Sequence, residues 1–417
     1  MLLFYFLAAI LLWQSVNSLR GGWQFLSYVR REMSKRLSDF APRVSVIAPC
    51  RGLDQGLGDN FRALFKQDYP SYEIVFVTDR ADDPAIAVIE EVQREFEGQA
   101  GPASRVVIAG KAAESGQKVH NLLAAVRQTD WSSEAFVFVD TDARPQTEWL
   151  RTLVGPLSDK SIGAATGYRW FIPVKGGLAS HLRSVWNASI ASALGARGDK
   201  NFCWGGSTAI RRSTFEELRM TEQWRGALSD DFALMRALRR AKLPIHFVPG
   251  CLVASLEDCS FRELLEFTTR QLKITRVYAS HFWKAVLAGS IIFTLVFFGG
   301  IALVATRALL NLSYMLPLVL LVVIFLLGAG KAYLRWKAVC LPLARYRKEL
   351  IRGAPAQLLL WPMVVPVYLY NALAAAFSRR ILWRGIMYEL KSPTETVIIP
   401  PRQSEENLSA GETRRAQ

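Results

Sequence analysis

The sequence predicts an α/β domain built on a mostly parallel sheet, carried between an N-terminal and several C-terminal transmembrane helices. Two observations support this. Four stretches, 1–19, 285–306, 308–330 and 354–378, hold no Asp, Glu, Lys or Arg, and about 20 apolar residues cross a bilayer core as a helix. Between the first and second stretches, from residue 44, short β-rich runs alternate with helical ones. A fully soluble chain is excluded. A disordered one is too, because 51% of the residues are hydrophobic and such a chain collapses onto a core. Residues 40–280 are long enough for one sizeable globular domain.

Taken in order, residues 1–19 have the length of an anchor. A cleaved signal peptide is the alternative, but the charged leader and the small-residue cleavage site are missing. Arg20, Arg30, Arg31, Lys35 and Arg36 follow, and positive charge stays on the cytoplasmic side. The β-rich runs are VSVIAP (44–49), YEIVFVTD (72–79), RVVIAG (105–110) and AFVFVDTDA (135–143), with helix-like pieces around 59–67, 84–97, 117–128 and 146–156. Apolar runs separated by helices are strands buried on both faces of a parallel sheet. Ligands of such sheets bind beyond the carboxyl ends of the strands. Two runs end in acidic residues there, at Asp79 and at Asp140-Thr-Asp142.

After residue 280 come spans 285–306 and 308–330, with Arg307 read as their divider. A basic loop follows, from Lys331 to Arg352. The stretch 354–378 contains Pro355, Pro362 and Pro366 and is followed by Arg379, Arg380 and Arg384. Crossing would place those cations outside, against the charge rule, so a re-entrant or interfacial path is the alternative. The tail 401–417 is polar and reads as disordered.

Lys and Arg total 51 against 36 Asp and Glu, a formal charge of +15. Beside transmembrane spans an anionic lipid surface is the default partner of such an excess. No finger spacing or aromatic-studded basic stripe points to nucleic acid. The five cysteines include no C-x-x-C pair and read as reduced, as in a cytosolic domain facing inward from a bacterial cell membrane.

The chemistry gathers in a few motifs. In FVDTDARP, Asp140 and Asp142 stand two apart at a strand end, where carboxylates converge on a hard cation such as Mg²⁺ or Mn²⁺ that also takes phosphate oxygens. A capped turn is the bland alternative. In VTDRADDPAI, Asp83 before Pro84 suits a helix cap, leaving Asp79 free for a ligand. Lys118, near a helix start, has the charge to meet a phosphate, and His120 reads as structural. Gly205 and Gly206 let backbone approach a ligand closely. Asp230 and Asp231 open an amphipathic helix, either as caps or, beside an acceptor hydroxyl, as a general base.

The order of these motifs, with QDYPSYEIVFVTDRADDPAIAVI followed by KVHNLL and then by RQLKITR and the spans, resembles membrane-bound family 2 glycosyltransferases with the GT-A fold. The branch it is most similar to holds ceramide glucosyltransferases and hopanoid-type bacterial relatives, and the likeness covers nearly all of residues 1–390. The resemblance implies transfer of one sugar, a UDP-linked hexose, from a nucleotide sugar to a membrane lipid with inversion. It implies Asp79 at the nucleotide base and Lys118 and Asn121 near the nucleotide. Asp140 and Asp142 fall on the metal motif, with Asp142 closest to the cation. Asp231 matches the general base, with Asp230 replacing a glutamate beside it in the acceptor region, where Gly205 and Gly206 also fall. The branch's Gln/Arg-x-x-Arg-Trp motif falls on Arg270, Lys273 and Ile274, read as nucleotide-sugar-binding through Arg270 and Lys273. Here the sequence departs, because Lys loses the bidentate fork and Ile removes an aromatic platform. A processive polysaccharide synthase and an inactive membrane scaffold of the same fold are the alternatives; the first usually needs more spans. A dinucleotide oxidoreductase lacks its glycine fingerprint after the first strand.

Overall fold

The computed structural model describes residues 1–99 and 101–400; the tail read at 401–417 lies outside them. The chain opens with α1 (Leu2–Met33). β1 (Val44–Pro49), α2 (Leu57–Phe65), β2 (Tyr72–Thr78), α3 (Ala85–Glu95), β3 (Ala103–Ile108), α4 (Gln117–Val126), β4 (Ala135–Phe138) and α5 (Trp149–Val154) then alternate as the sequence indicates. β5 (Ala164–Ile172), α6 (Leu178–Ala191), β6 (Thr208–Arg211), α7 (Arg212–Glu217), α8 (Met220–Gln223), α9 (Asp230–Arg240) and β7 (Ile245–Leu256) complete the domain. The seven strands form one sheet in the order β3-β2-β1-β4-β6-β5-β7, with only β6 antiparallel to its neighbours. This is the mostly parallel α/β sheet expected of a GT-A fold.

The runs that became β1, β2 and β4 are covered on both faces, whereas β3 is a partly exposed edge strand. β2 and β4 are buried at every position. One core lies under α2, α3 and α5, with Phe61, Ile89 and Leu150 fully buried. The other lies under α4 and α9, with Leu122, Trp224 and Leu238. The register pairs Ile47 with both Val75 and Phe138. The chain therefore leaves β1, β2 and β4 at one edge, and the acidic motifs that follow them share it.

Four sequence expectations need correction. The anchor does not stop at residue 19, because α1 is one helix of 32 residues. Its second half packs Phe25, Leu26, Tyr28 and Val29 into the domain core, and Tyr28 Oη donates to the Phe247 carbonyl at 2.5 Å. The span read as 285–306 is α11 (Ser280–Phe293), a π turn (Thr294–Phe298) and α12 (Gly299–Leu309). Arg307 does not divide the spans. It belongs to α12, and the next helix, α13, runs Met315–Val339 rather than starting at 308. Asn311 ends α12 in the left-handed conformation, φ 53°, which Asn tolerates as a helix terminator. The stretch 354–378 is not one helix either. α14 (Arg347–Leu359) and α15 (Trp361–Phe377) meet at a bend of 71° at Leu360, with Pro362 in the first turn of α15, where its missing N–H leaves no helix bond unmade.

Three helices, Leu2–Met33, Ser280–Leu309 and Met315–Val339, are long and apolar enough to cross a membrane. The bent pair has both ends against the α/β domain. Before α14, Gln146 Nε2 donates to the Pro342 carbonyl at 3.0 Å. After α15, a three-stranded antiparallel sheet, β8 (Arg380–Trp383), β9 (Ile386–Ser392) and β10 (Glu395–Ile399), docks through Ile381, Tyr388 and Leu390 onto Leu228, Ile274 and Tyr278. Tyr278 closes α10 (Phe261–Tyr278), whose start is fixed by a Ser260/Glu263 capping box. Both ends of the bent pair thus lie against the α/β domain, and the 71° bend marks either a broken span or a re-entrant loop. Arg379, Arg380 and Arg384 belong to the segment that packs on the domain, as Arg384 does through Asp54.

The small sheet is held by a close approach at Gly226. This residue has φ +72°, a Cβ there would overlap the Thr394 carbonyl, and its own carbonyl accepts from Thr396 Oγ1 at 2.7 Å. Gly226→Ala strains the backbone and pushes the sheet away, costing about 1–3 kcal/mol. Hydrogen exchange should show faster exchange confined to 380–399. Unchanged protection there would exclude this latch.

Candidate functional site

The site is a charge network built where chain segments converge at the sheet's carboxyl edge. Lys118 sits in the first turn of α4, whose start is tied to the segment before α9 by Gly116 N donating to the Ala227 carbonyl at 2.9 Å. This brings Lys118 Nζ to 2.7 Å from Asp140 Oδ1 and 3.4 Å from Asp230 Oδ1. From β5, Arg169 reaches the same corner: Nη2 is 3.2 Å from Asp140 Oδ2 and Nη1 is 2.9 Å from Asp142 Oδ2. Its guanidinium lies 4.8 Å above the Trp204 ring. Asp142 Oδ1 is buried with no partner. Gly205 closes over the pair, since a Cβ there would sit 2.8 Å from Lys118 Nζ and overlap the Asp230 carboxylate.

Burial works against the charge on Lys118, but Asp140, Asp230 and Asp231 outweigh it and hold the ammonium well above its ordinary range. Burial likewise opposes ionisation of Asp140, yet Lys118 and Arg169 prevail and hold that carboxyl below the usual value. Asp230 goes the other way. Burial pushes it up to about 6; Lys118 pulls it down, and Asp231 and Asp140 push it further up. Asp231 is differently placed. Its Oδ1 accepts from Ser229 Oγ and from Phe232 N at 2.7 Å, while Oδ2 lies 3.5 Å from Gly205 N. One oxygen is anchored at the helix start, and the other has only this long contact.

All of this lines one cavity of about 2690 Å³. Lys118, Asn121, Asp140, Asp142, Gly205, Asp230, Asp231 and Arg270 are on its wall. Asn121 is buried and accepts from Gln117 Nε2 at 2.8 Å. Arg270, on α10, lies 5.5 Å over Phe267 and 5.4 Å over Trp383. Among the described residues no carboxylate lies within salt-bridge reach of it. Burial first, then Arg169 and Arg384, push its guanidinium down to about 10. Asp79 is 9% exposed with Oδ1 unpartnered, and its nearest cation is Arg51, 3.7 Å away on the cavity wall. Asp83 accepts from Ala85 N at 2.9 Å, as a cap does. His120 Nε2 meets the Ala109 carbonyl at 3.0 Å.

Three of the expected residues are not on the cavity wall: Asp79, which sits behind Arg51, and Lys273 and Gly206. Lys273 leaves it, because Nζ donates to the Arg380 carbonyl at 2.6 Å, so this side chain clamps the C-terminal sheet to α10 instead of facing a nucleotide sugar. Gly206 packs beneath the Trp204 ring, which a Cβ would overlap. Ile274 is buried under the same small sheet, and the aromatic beside Arg270 is supplied by Trp383. Sequence reasoning missed Arg169, Trp383 and Arg384. Arg169 was signalled by its place inside the buried strand AATGYRWFI, where a cation needs a partner. Arg384 binds Asp54 at 2.8 Å and the Arg51 carbonyl at 3.2 Å. Its W-R-G turn, with φ 49° at Arg384 and 77° at Gly385, suits a two-residue hairpin.

The raised Asp230 carboxyl has a stability consequence. A group whose folded pKa lies above its unfolded value stabilises the fold while protonated, and that contribution is lost as pH rises through about 6. Asp230→Asn keeps the shape and removes the loss. Its Tm should exceed that of the wild type above pH 6, and the gap should close towards pH 4. A pH-independent difference would exclude this reading.

A stretch of 123 residues is 24% identical to ceramide glucosyltransferase 3 of Caenorhabditis elegans, covering 28% of this chain and 26% of that protein. Among solved structures, the mannosyltransferase PcManGT from Pyrobaculum calidifontis, in complex with GDP-Man and Mn²⁺, aligns over 89% of this chain and 98% of its own, at 17% identity and TM-score 0.45. Glucosyl-3-phosphoglycerate synthase from Mycobacterium tuberculosis, in complex with Mn²⁺ and UDP-glucose, aligns over 60% and 82%, at 15% identity and TM-score 0.37. The model of glycosyl transferase family 21 matches residues 4–396, and the chain belongs to that family: it is a glycosyltransferase.

Proposed function

We propose that the protein transfers one hexose from a UDP-linked donor to the hydroxyl of a membrane lipid, inverting the anomeric centre in a single displacement. The observation that carries this is the continuity of the cavity. Its wall includes Lys118, Asp140 and Asp231, and equally Leu11 of α1, Phe293 of α11 and Val365 of α15, between the helices that suit a membrane. A polar donor and a lipid acceptor meet in one space.

Each residue then has a distinct task. Asp79, with its unpartnered oxygen, accepts from the nucleobase. Lys118 and Arg270 meet the diphosphate; Arg270 has no competing carboxylate, so binding an anion relieves its isolation. Asp231 takes the proton of the acceptor hydroxyl through Oδ2 while Oδ1 stays anchored. The hydroxyl oxygen forms its bond to the anomeric carbon as the bond to the diphosphate breaks. Asp230 serves by holding Lys118.

A divalent cation fits the Asp-x-Asp pair. Two carboxylates plus donor phosphates and water are the usual complement for Mg²⁺ or Mn²⁺, and the orphaned Asp142 Oδ1 is an oxygen without other employment. Among the described residues no third His, Cys, Asp or Glu joins them. Asp142 and Asp140 would hold the ion, which would neutralise charge on the departing diphosphate. With Arg20, Arg30, Arg31 and the basic loop beside the domain, the catalytic face is cytoplasmic; cysteine labelling at position 348 from outside intact cells would disprove this.

The central test measures rate and donor affinity on one preparation. Asp231→Asn should lower turnover about 10²–10⁴-fold with donor affinity nearly unchanged, and Asp230→Asn should cost less. Asp142→Ala should abolish transfer in a folded protein, as should chelator with wild type. More than about a tenth of the rate left in Asp231→Asn removes the base assignment. Full activity in excess chelator removes the metal.

A further inference from the structure

The membrane half of the cavity contains a second cationic site, set away from the Asp-x-Asp corner. Lys331 and Arg335 lie one turn apart on α13, and both line the cavity. Arg335 is 4% exposed. Its guanidinium donates from Nη2 to Gln357 Oε1 at 3.3 Å, and its buried Nε has no acceptor. Among the described residues neither Lys331 nor Arg335 has a carboxylate within 4 Å. Glu257, on the same cavity wall, is taken by Arg183 at 3.2 Å.

Two like charges one turn apart repel. Unpaired cations within a spanning helix are expensive and mark a binding role by default. A fold holding both against one cavity therefore needs an anion inside it. Position says what carries that anion. α1 and α13 run in parallel: Phe4 and Leu321 both flank Gly300, Leu19 touches Gly330, and Lys331 packs on Gly22. Lys331 lies 16 residues past Met315, about 24 Å along the helix at 1.5 Å per residue, near the domain's end of a core about 30 Å thick and within a long side chain's reach of the headgroups. On α1, Gln14, Ser15, Asn17 and Ser18 turn a polar face to the same cavity. Beyond them its wall is Leu11, Phe293 and Val365, a surface for acyl chains.

We propose that Lys331 and Arg335 bind the anionic group, a phosphate or carboxylate, of a membrane lipid whose chains lie among α1, α11, α13 and α15. The binding stands by itself; only its corollary, that this lipid is the acceptor, rests on the function proposed above.

The test uses the full chain in detergent, offered equal phosphatidylglycerol and phosphatidylcholine of the same acyl chains, with bound lipid resolved by native mass spectrometry. Wild type should retain the anionic lipid about tenfold over the neutral one. Lys331→Gln and Arg335→Gln should bring the ratio towards one while UDP-glucose binding is kept. Arg335 also holds Gln357, so if Arg335→Gln does not fold, Lys331→Gln decides alone. Equal retention by wild type, or full preference in Lys331→Gln, overturns the site. Displacement of phosphatidylglycerol by millimolar inorganic phosphate overturns the lipid and leaves a free-anion site. Failure of sugar transfer with a preserved tenfold preference would count against the proposed reaction and not against this site.

Discussion

The contact on which the rest depends is Lys118 between Asp140 and Asp230. Three carboxylates crowded at a sheet edge, Asp230 buried and Asp140 and Asp142 half-buried, would repel one another and lose hydration. A single ammonium from α4 and one guanidinium from β5 make their convergence tolerable. The geometry around them follows from that need. Gly205 has no side chain because the pair fills the space, Gly116 sits where α4 must touch the approach to α9, and Trp204 lies under Arg169. The sheet brings the acids together, and the cations decide how closely they can stand.

Much of this was legible beforehand, because burial leaves a strong pattern. The strand runs at 44, 72, 105 and 135 begin within two residues of β1 to β4, although the last was read to 143 and β4 stops at Phe138; β1, β2 and β4, covered on both faces, have little choice but apolar residues. Asp140, Asp142, Lys118 and the Asp230–Asp231 pair were legible as candidates because strand ends and helix starts are local features. Lys273 was not. Its spacing from Arg270 places it on the right helix, but one turn of rotation carries its amine to the C-terminal sheet. The span boundaries failed for a related reason. Hydropathy is smooth across Arg307, whereas the actual stop, Asn311, is a backbone event.

Long-range closure was hidden altogether. Nothing near residue 51 announces that Arg384 will bind Asp54, and nothing near Arg270 announces Trp383. Such contacts are made by a sheet that follows the last helix, and sequence separation erases them from any local pattern. The same holds for Arg335, whose isolation becomes visible only when every neighbour is placed.

The late position of that sheet also orders events in time. The α/β domain and its carboxylates emerge from the ribosome more than a hundred residues before Trp383 and Arg384. Until β8 to β10 arrive, Arg270 lacks the ring beside it and the Tyr388 hydroxyl is not there to accept from Gln117 N at the start of α4. The nascent chain therefore carries its acids and its lysine in an unfinished cleft while the spans are still being inserted. The cleft is closed only by the final strands, which follow every apolar helix that lines the cavity in chain order.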